Sequence, residues 1–106
     1  MRVLFDQGTP APLRQVLLPH TVETAHERGW SALKNGELLQ AAEAAGFEVL
    51  VTTDMNLRHQ QNLSERRIAV VVLSTTSWPR IRAVGEEVAC AVNRAATERY
   101  IEVGIP

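Results

Sequence analysis

Two apolar runs of the chain stop on an aspartate, VLFD at residues 3–6 and VLVTTD at residues 49–54. A third acid, Glu37, stands in the run NGELL. Asp and Asn commonly close strands by bonding their own backbone, so Asp54 by itself is compatible with plain turn chemistry. Glu37 by itself is compatible with complementing the positive end of a helix. The repeated strand ending asks for more. Carboxylates held close in a cleft repel one another, and a divalent cation relieves that repulsion. Magnesium prefers oxygen ligands of this kind and fills the rest of its shell with water. Asp6, Glu37 and Asp54 brought to one edge of a sheet therefore suit metal-assisted attack on a phosphodiester. Nearby, LRHQQN at 57–62 supplies Arg58 and His59 for backbone phosphates and several amides for base edges. The hydroxyl run at 74–77 offers Thr75 to a phosphate or a bound water, while Thr76 or Ser77 suits the cap of the next helix.

These side chains meet only if the elements bring them together. Arg2 to Asp6 reads as a first strand, followed by Thr9-Pro10 as a helix cap and first helical residue, and a short helix through Leu13, Val16 and Leu17. His20 to Thr24 is β-prone. Asn35 is placed to cap a helix that runs to about Ala45, with Gly46 as its stop. Val49 to Thr53 and Ile68 to Leu73 are apolar on both faces, the mark of strands covered on both sides. A long helix follows Trp78-Pro79, with Ile81, Val84, Val88, Ala91, Val92 and Ala95 along one stripe. Tyr100 to Ile105 alternates and reads as a short final edge strand. The pattern predicts an α/β fold with a mainly parallel sheet. In the order 2-1-3-4, strands one and three flank the switch point, and Asp6 and Asp54 face one crevice beyond their carboxyl ends.

Composition bounds the partners. At 106 residues, with 45% hydrophobic and 22% charged, the chain is expected to be one globular domain. The net charge of -1 announces no nucleic acid in bulk, so an RNA site needs local chemistry. A single cysteine, Cys90, excludes an internal disulfide and suits a cytoplasmic protein. It falls opposite the apolar stripe of its helix, on an exposed face or a subunit contact, so a homodimer is among the expected partners. No apolar stretch approaches a membrane span. His20 and His26 stand in no metal-ligand spacing, and Trp30 and Trp78 suit either a core edge or base stacking.

The runs VLFDQGTP, NGELLQAAEAAGF and VLVTTDMNL resemble the PIN-like nuclease superfamily, in particular the small bacterial domains of toxin–antitoxin loci. The resemblance covers essentially the whole chain and implies one three-layer PIN-like domain over residues 1–106. It further implies a ribonuclease dependent on Mg²⁺ or Mn²⁺, with RNA as substrate and a cognate antitoxin as protein partner. Asp6 matches the acid ending the first strand, Glu37 the acid opening the central helix, and Asp54 the acid ending the third strand. Gln7, Asn35 and Asn56 are amides where small relatives carry further acids. They can bond water or ligand around a metal, but they bring no charge to it. Weaker metal affinity follows, with a catalytically degenerate binding or interaction module as the alternative. A phosphoacceptor receiver domain needs paired acids after the first strand and a lysine after the last, and the only lysine here is Lys34.

Overall fold

The aliphatic runs form strands because both of their faces are covered. The computed structural model, which describes residues 1–106, contains β1 (Arg2–Phe5), β2 (Thr21–Thr24), β3 (Val49–Thr52), β4 (Ala69–Leu73) and β5 (Tyr100–Val103). Every residue of β3 and β4 is buried. The five strands make one sheet in the order β2-β1-β3-β4-β5, and all four pairings are parallel. The α/β expectation holds, and the final strand lies at the edge beside β4.

Alternation along the strands sends side chains into two separate cores. Val3, Phe5, Val49, Val51, Val71 and Leu73 pack on one face against Leu13, Leu17 and the helices α3 (Trp78–Ala83) and α4 (Gly85–Glu98). Leu4, Leu50, Val70 and Val72 pack on the other face against α1 (Asn35–Ala44), Phe47 and Leu57 of α2 (Leu57–Gln60). The sheet is thus the middle of three layers.

Three expected boundaries change. The short helix after β1 is a 3₁₀ segment, Ala11–Gln15, and Thr9 does not cap it. The polar run at 57–62, given no element in the sequence reading, opens with the helical turn α2. The long C-terminal helix is two helices, broken at Val84 (φ −119°, ψ 31°). At that break Gly85 lies so near Val16 that an added Cβ would stand 3.1 Å from its Cγ1. The helix stripe continues on both sides, which is why periodicity alone did not reveal the interruption.

Candidate functional site

Asp6 follows the last residue of β1, and Asp54 lies just past the end of β3. These two strands are hydrogen-bonded neighbours, and the strand order reverses between them. In an open parallel sheet this is where ligands gather.

A third side chain joins the two acids. Thr52, the last residue of β3, is only 1% exposed. Its hydroxyl donates to Asp6 Oδ2 and accepts the backbone N–H of Asp54 at 3.0 Å. On the other side, the Thr9 hydroxyl lies 2.7 Å from Asp6 Oδ1 and 2.9 Å from the Val51 carbonyl, so its one proton is shared between two acceptors. This explains why Thr9 is not a helix cap. Asp54 is held by amides instead, with Oδ2 accepting from Asn35 Nδ2 at 2.7 Å and Oδ1 from the Asn56 N–H at 2.9 Å. The Asn56 bond is the expected turn chemistry, so Asp54 closes its own turn and belongs to the site as well.

Asn35 corrects a second expectation. It is the first residue of α1 rather than its cap, and its side-chain amide spans Asp54 and Gln60 Oε1, the latter at 3.1 Å. The cap position belongs to Lys34, whose N–H donates to Glu37 Oε1 at 3.1 Å. Glu37 is therefore exposed and engaged in its own helix start. The expected meeting of three acids is not seen, for no three His, Cys, Asp or Glu side chains gather into a group able to hold a metal.

The donor set of the aspartate pair alone is a different matter. Each of the four carboxylate oxygens accepts one hydrogen bond, which leaves a second lone pair on each. Ligating carboxylates are ordinarily oriented by such outer bonds. Two carboxylates with free lone pairs are the donor chemistry that a magnesium ion takes while keeping water in its shell.

The expected substrate contacts are scattered. Arg58 reaches toward β5, where it pairs with Glu102 at 3.6 Å and lies 6.0 Å from the centre of the Tyr100 ring. With its side chain 50% exposed, that pair is weak and open to exchange. Burial first, and then the hydrogen bond it gives Glu102, push the Tyr100 phenol up to about 12. His59 is exposed, its Nε2 3.4 Å from Arg58 Nε. Thr75 accepts the Ser77 N–H at 3.1 Å in a local turn. Ser77 holds the cap position of α3 without a side-chain bond, and Pro79 removes one of the two N–H groups that a cap would meet. Gln7 is exposed beside Asp6.

Thr9 and Thr52 are the members that sequence reasoning missed. Thr52 left a faint signal, a hydroxyl at the end of an otherwise aliphatic strand two residues before an acid, whereas Thr9 beside Pro10 read as a helix cap. Compared with protein-family models, curated proteins and solved structures, the chain matches none of them. Fold and site together define an α/β protein whose parallel sheet carries at its switch point two aspartates, one held by threonine hydroxyls and one by amides.

Proposed function

We propose that this chain is a PIN-like domain acting as a metal-dependent ribonuclease, with Asp6 and Asp54 as its acidic pair. The observation that carries the reading is the buried Thr52 hydroxyl, which binds Asp6 directly and Asp54 through its N–H. Burying a polar group there is favourable only because both of its bonds are made, and it ties the Asp6 carboxylate to the backbone that carries Asp54. The 2-1-3-4 run within the sheet and its three layers also support the PIN-like assignment. Mg²⁺ or Mn²⁺ held by Asp6 and Asp54 would lower the pKa of a bound water and offset charge on the phosphate. Thr9 and Thr52 orient Asp6, and Asn35 and Asn56 orient Asp54. Glu37 acts as a helix residue in this reading. The setting implied by the resemblance is the toxin of a cytoplasmic toxin–antitoxin pair.

A specific observation favours the second reading, a degenerate binding module. Asn35 places an amide, where relatives carry an acid, directly on Asp54. One experiment separates the two. Purified protein is incubated with single-stranded RNA and Mn²⁺, beside Asp6→Asn and Asp54→Asn. Cleavage that chelator abolishes and both variants lose supports the ribonuclease; RNA binding with no cleavage above the variants' level supports the module.

A further inference from the structure

A cavity of about 470 Å³ opens beside Asp6, walled by Gln7, His26, Thr76 and Trp78. We propose that it is a nucleobase subsite, which takes one unstacked base of single-stranded RNA between Trp78 and His26 and sets the adjoining phosphodiester at Asp6. The proposal rests on the ribonuclease reading and names how that site grips its substrate.

The volume lies in the range of small-ligand pockets. Its charge decides what enters. The lining holds one carboxylate, Asp6, and no lysine or arginine. A phosphate would meet repulsion there, whereas a neutral heterocycle meets an indole, an imidazole, an amide and a hydroxyl. Those are the groups that recognise splayed bases, by stacking on aromatic faces and by bonds to their polar edges. Of the four cavities, this is the one that includes an aspartate of the pair.

The walls are unequally rigid. Trp78 opens α3 and is half-buried against the core, so it offers a fixed platform. The loop after β1 is held close to the segment after β3, since a Cβ added at Gly8 would stand 2.3 Å from Thr53 Oγ1, and it is in ordinary contact with Thr76 after β4, at 3.8 Å from Cγ2. A side chain at position 8 would have to displace the Thr53 hydroxyl, so glycine suits that approach. His26 is exposed on the turn after β2, its Nδ1 3.5 Å from Ser31 Oγ, and can close over a base from the opposite side.

The chain has two tryptophans, so Trp30→Phe leaves Trp78 as the sole indole fluorophore. That variant is titrated with a short oligouridylate and a short oligoadenylate in chelator, where no cleavage occurs, and binding is followed in parallel by anisotropy. Saturable quenching of Trp78 is expected. Trp78→Leu is expected to weaken binding about tenfold, the scale of one lost base stack. Because that variant alters a partly buried side chain, a second probe leaves the protein untouched: an oligonucleotide with abasic positions, expected to bind about tenfold more weakly and to quench nothing. RNA that binds equally with or without bases and leaves Trp78 unquenched overturns the subsite while leaving the ribonuclease reading intact. Quenching without any cleavage when Mn²⁺ is restored overturns the ribonuclease reading and keeps the subsite. No binding by any of these probes overturns the subsite, and no cleavage when Mn²⁺ is restored overturns the ribonuclease reading as well.

Discussion

The hydroxyl of Thr52 serves two acids with one oxygen, donating to Asp6 and accepting from the N–H of Asp54. Thr52→Val keeps the shape and removes both bonds, leaving a half-buried N–H without its acceptor. The expected cost is about 1–3 kcal/mol of stability, read by thermal unfolding. Because oriented carboxylates also serve the metal, RNA cleavage with Mn²⁺ is expected to drop roughly 10–100-fold. Thr52→Ser restores the hydroxyl and should recover most of both; a serine variant as inactive as the valine one would mean that the hydroxyl is not what matters. Legibility at this scale follows from how each residue meets the backbone. Asp6 and Asp54 were readable because strand ends stop on them. Asn35 was read as a cap because asparagine favours that position, yet its amide turns away to Asp54, a partner 19 residues off that no local rule names. Glu37 was placed at the correct helix start, where its Oε1 accepts from the Lys34 N–H at 3.1 Å.

Among the elements, α1 shows how a stop signal works and α4 shows one that escapes reading. Gly46 follows α1 with φ +85°, a left-handed conformation that glycine adopts freely. Gly46→Ala forces a Cβ into that region, 2.9 Å from Arg2 Nη1. A loss of about 1–2 kcal/mol is expected, with a fall in Tm of about 4–8 °C for each kcal/mol; an unchanged Tm would show that the backbone can relax there. At the end of α4 the left-handed residue is Arg99, φ 73°. Nothing in its residue type announces a helix end. Its guanidinium instead donates to the carbonyls of Arg66 and Arg67, a tertiary bond that holds the turn against its local preference. The two sheet faces were readable from apolar runs because burial on both sides leaves no alternation. The break at Val84 was not, because it depends on Val16 packing at Gly85 from a distant segment.

Across the whole molecule the two ends of the sheet carry different duties, and pH separates them. The carboxyl end holds Asp6, Asp54 and the cavity. The amino end is clamped by Glu43 of α1, which accepts from Arg66 and from the N–H groups of Arg67 and Ile68 at the entry to β4. Burial pushes the Glu43 carboxyl up, but the Arg66 side chain and those two amides outweigh it and hold it below the ordinary 4.5. A lowered carboxylate contributes stability that is present above the unfolded pKa and lost as pH falls through the folded one. Tyr100 works in the opposite sense, because its pKa rises from 10.0 to about 12, and the neutral phenol is the form the fold prefers. Its contribution is complete below pH 10 and is lost between 10 and about 12. Stability should therefore form a plateau with an acid and an alkaline limb. Urea unfolding across pH is expected to show Glu43→Gln less stable at neutrality, by about 2 kcal/mol for the lost charged bonds, with a shallower acid limb. Part of that limb should remain, because Arg14 and Arg94 hold Glu27 and Glu98 low as well. Tyr100→Phe should flatten the alkaline limb alone, and because Tyr100 is the only tyrosine, tyrosinate absorbance follows its titration directly. A folded-state midpoint near 10 would refute the burial assigned to the phenol. Glu43 makes none of its bonds at the carboxyl end, so RNA affinity at neutral pH should be unchanged in Glu43→Gln; a loss there would mean that the clamp at one end of the sheet sets the geometry of the aspartates at the other.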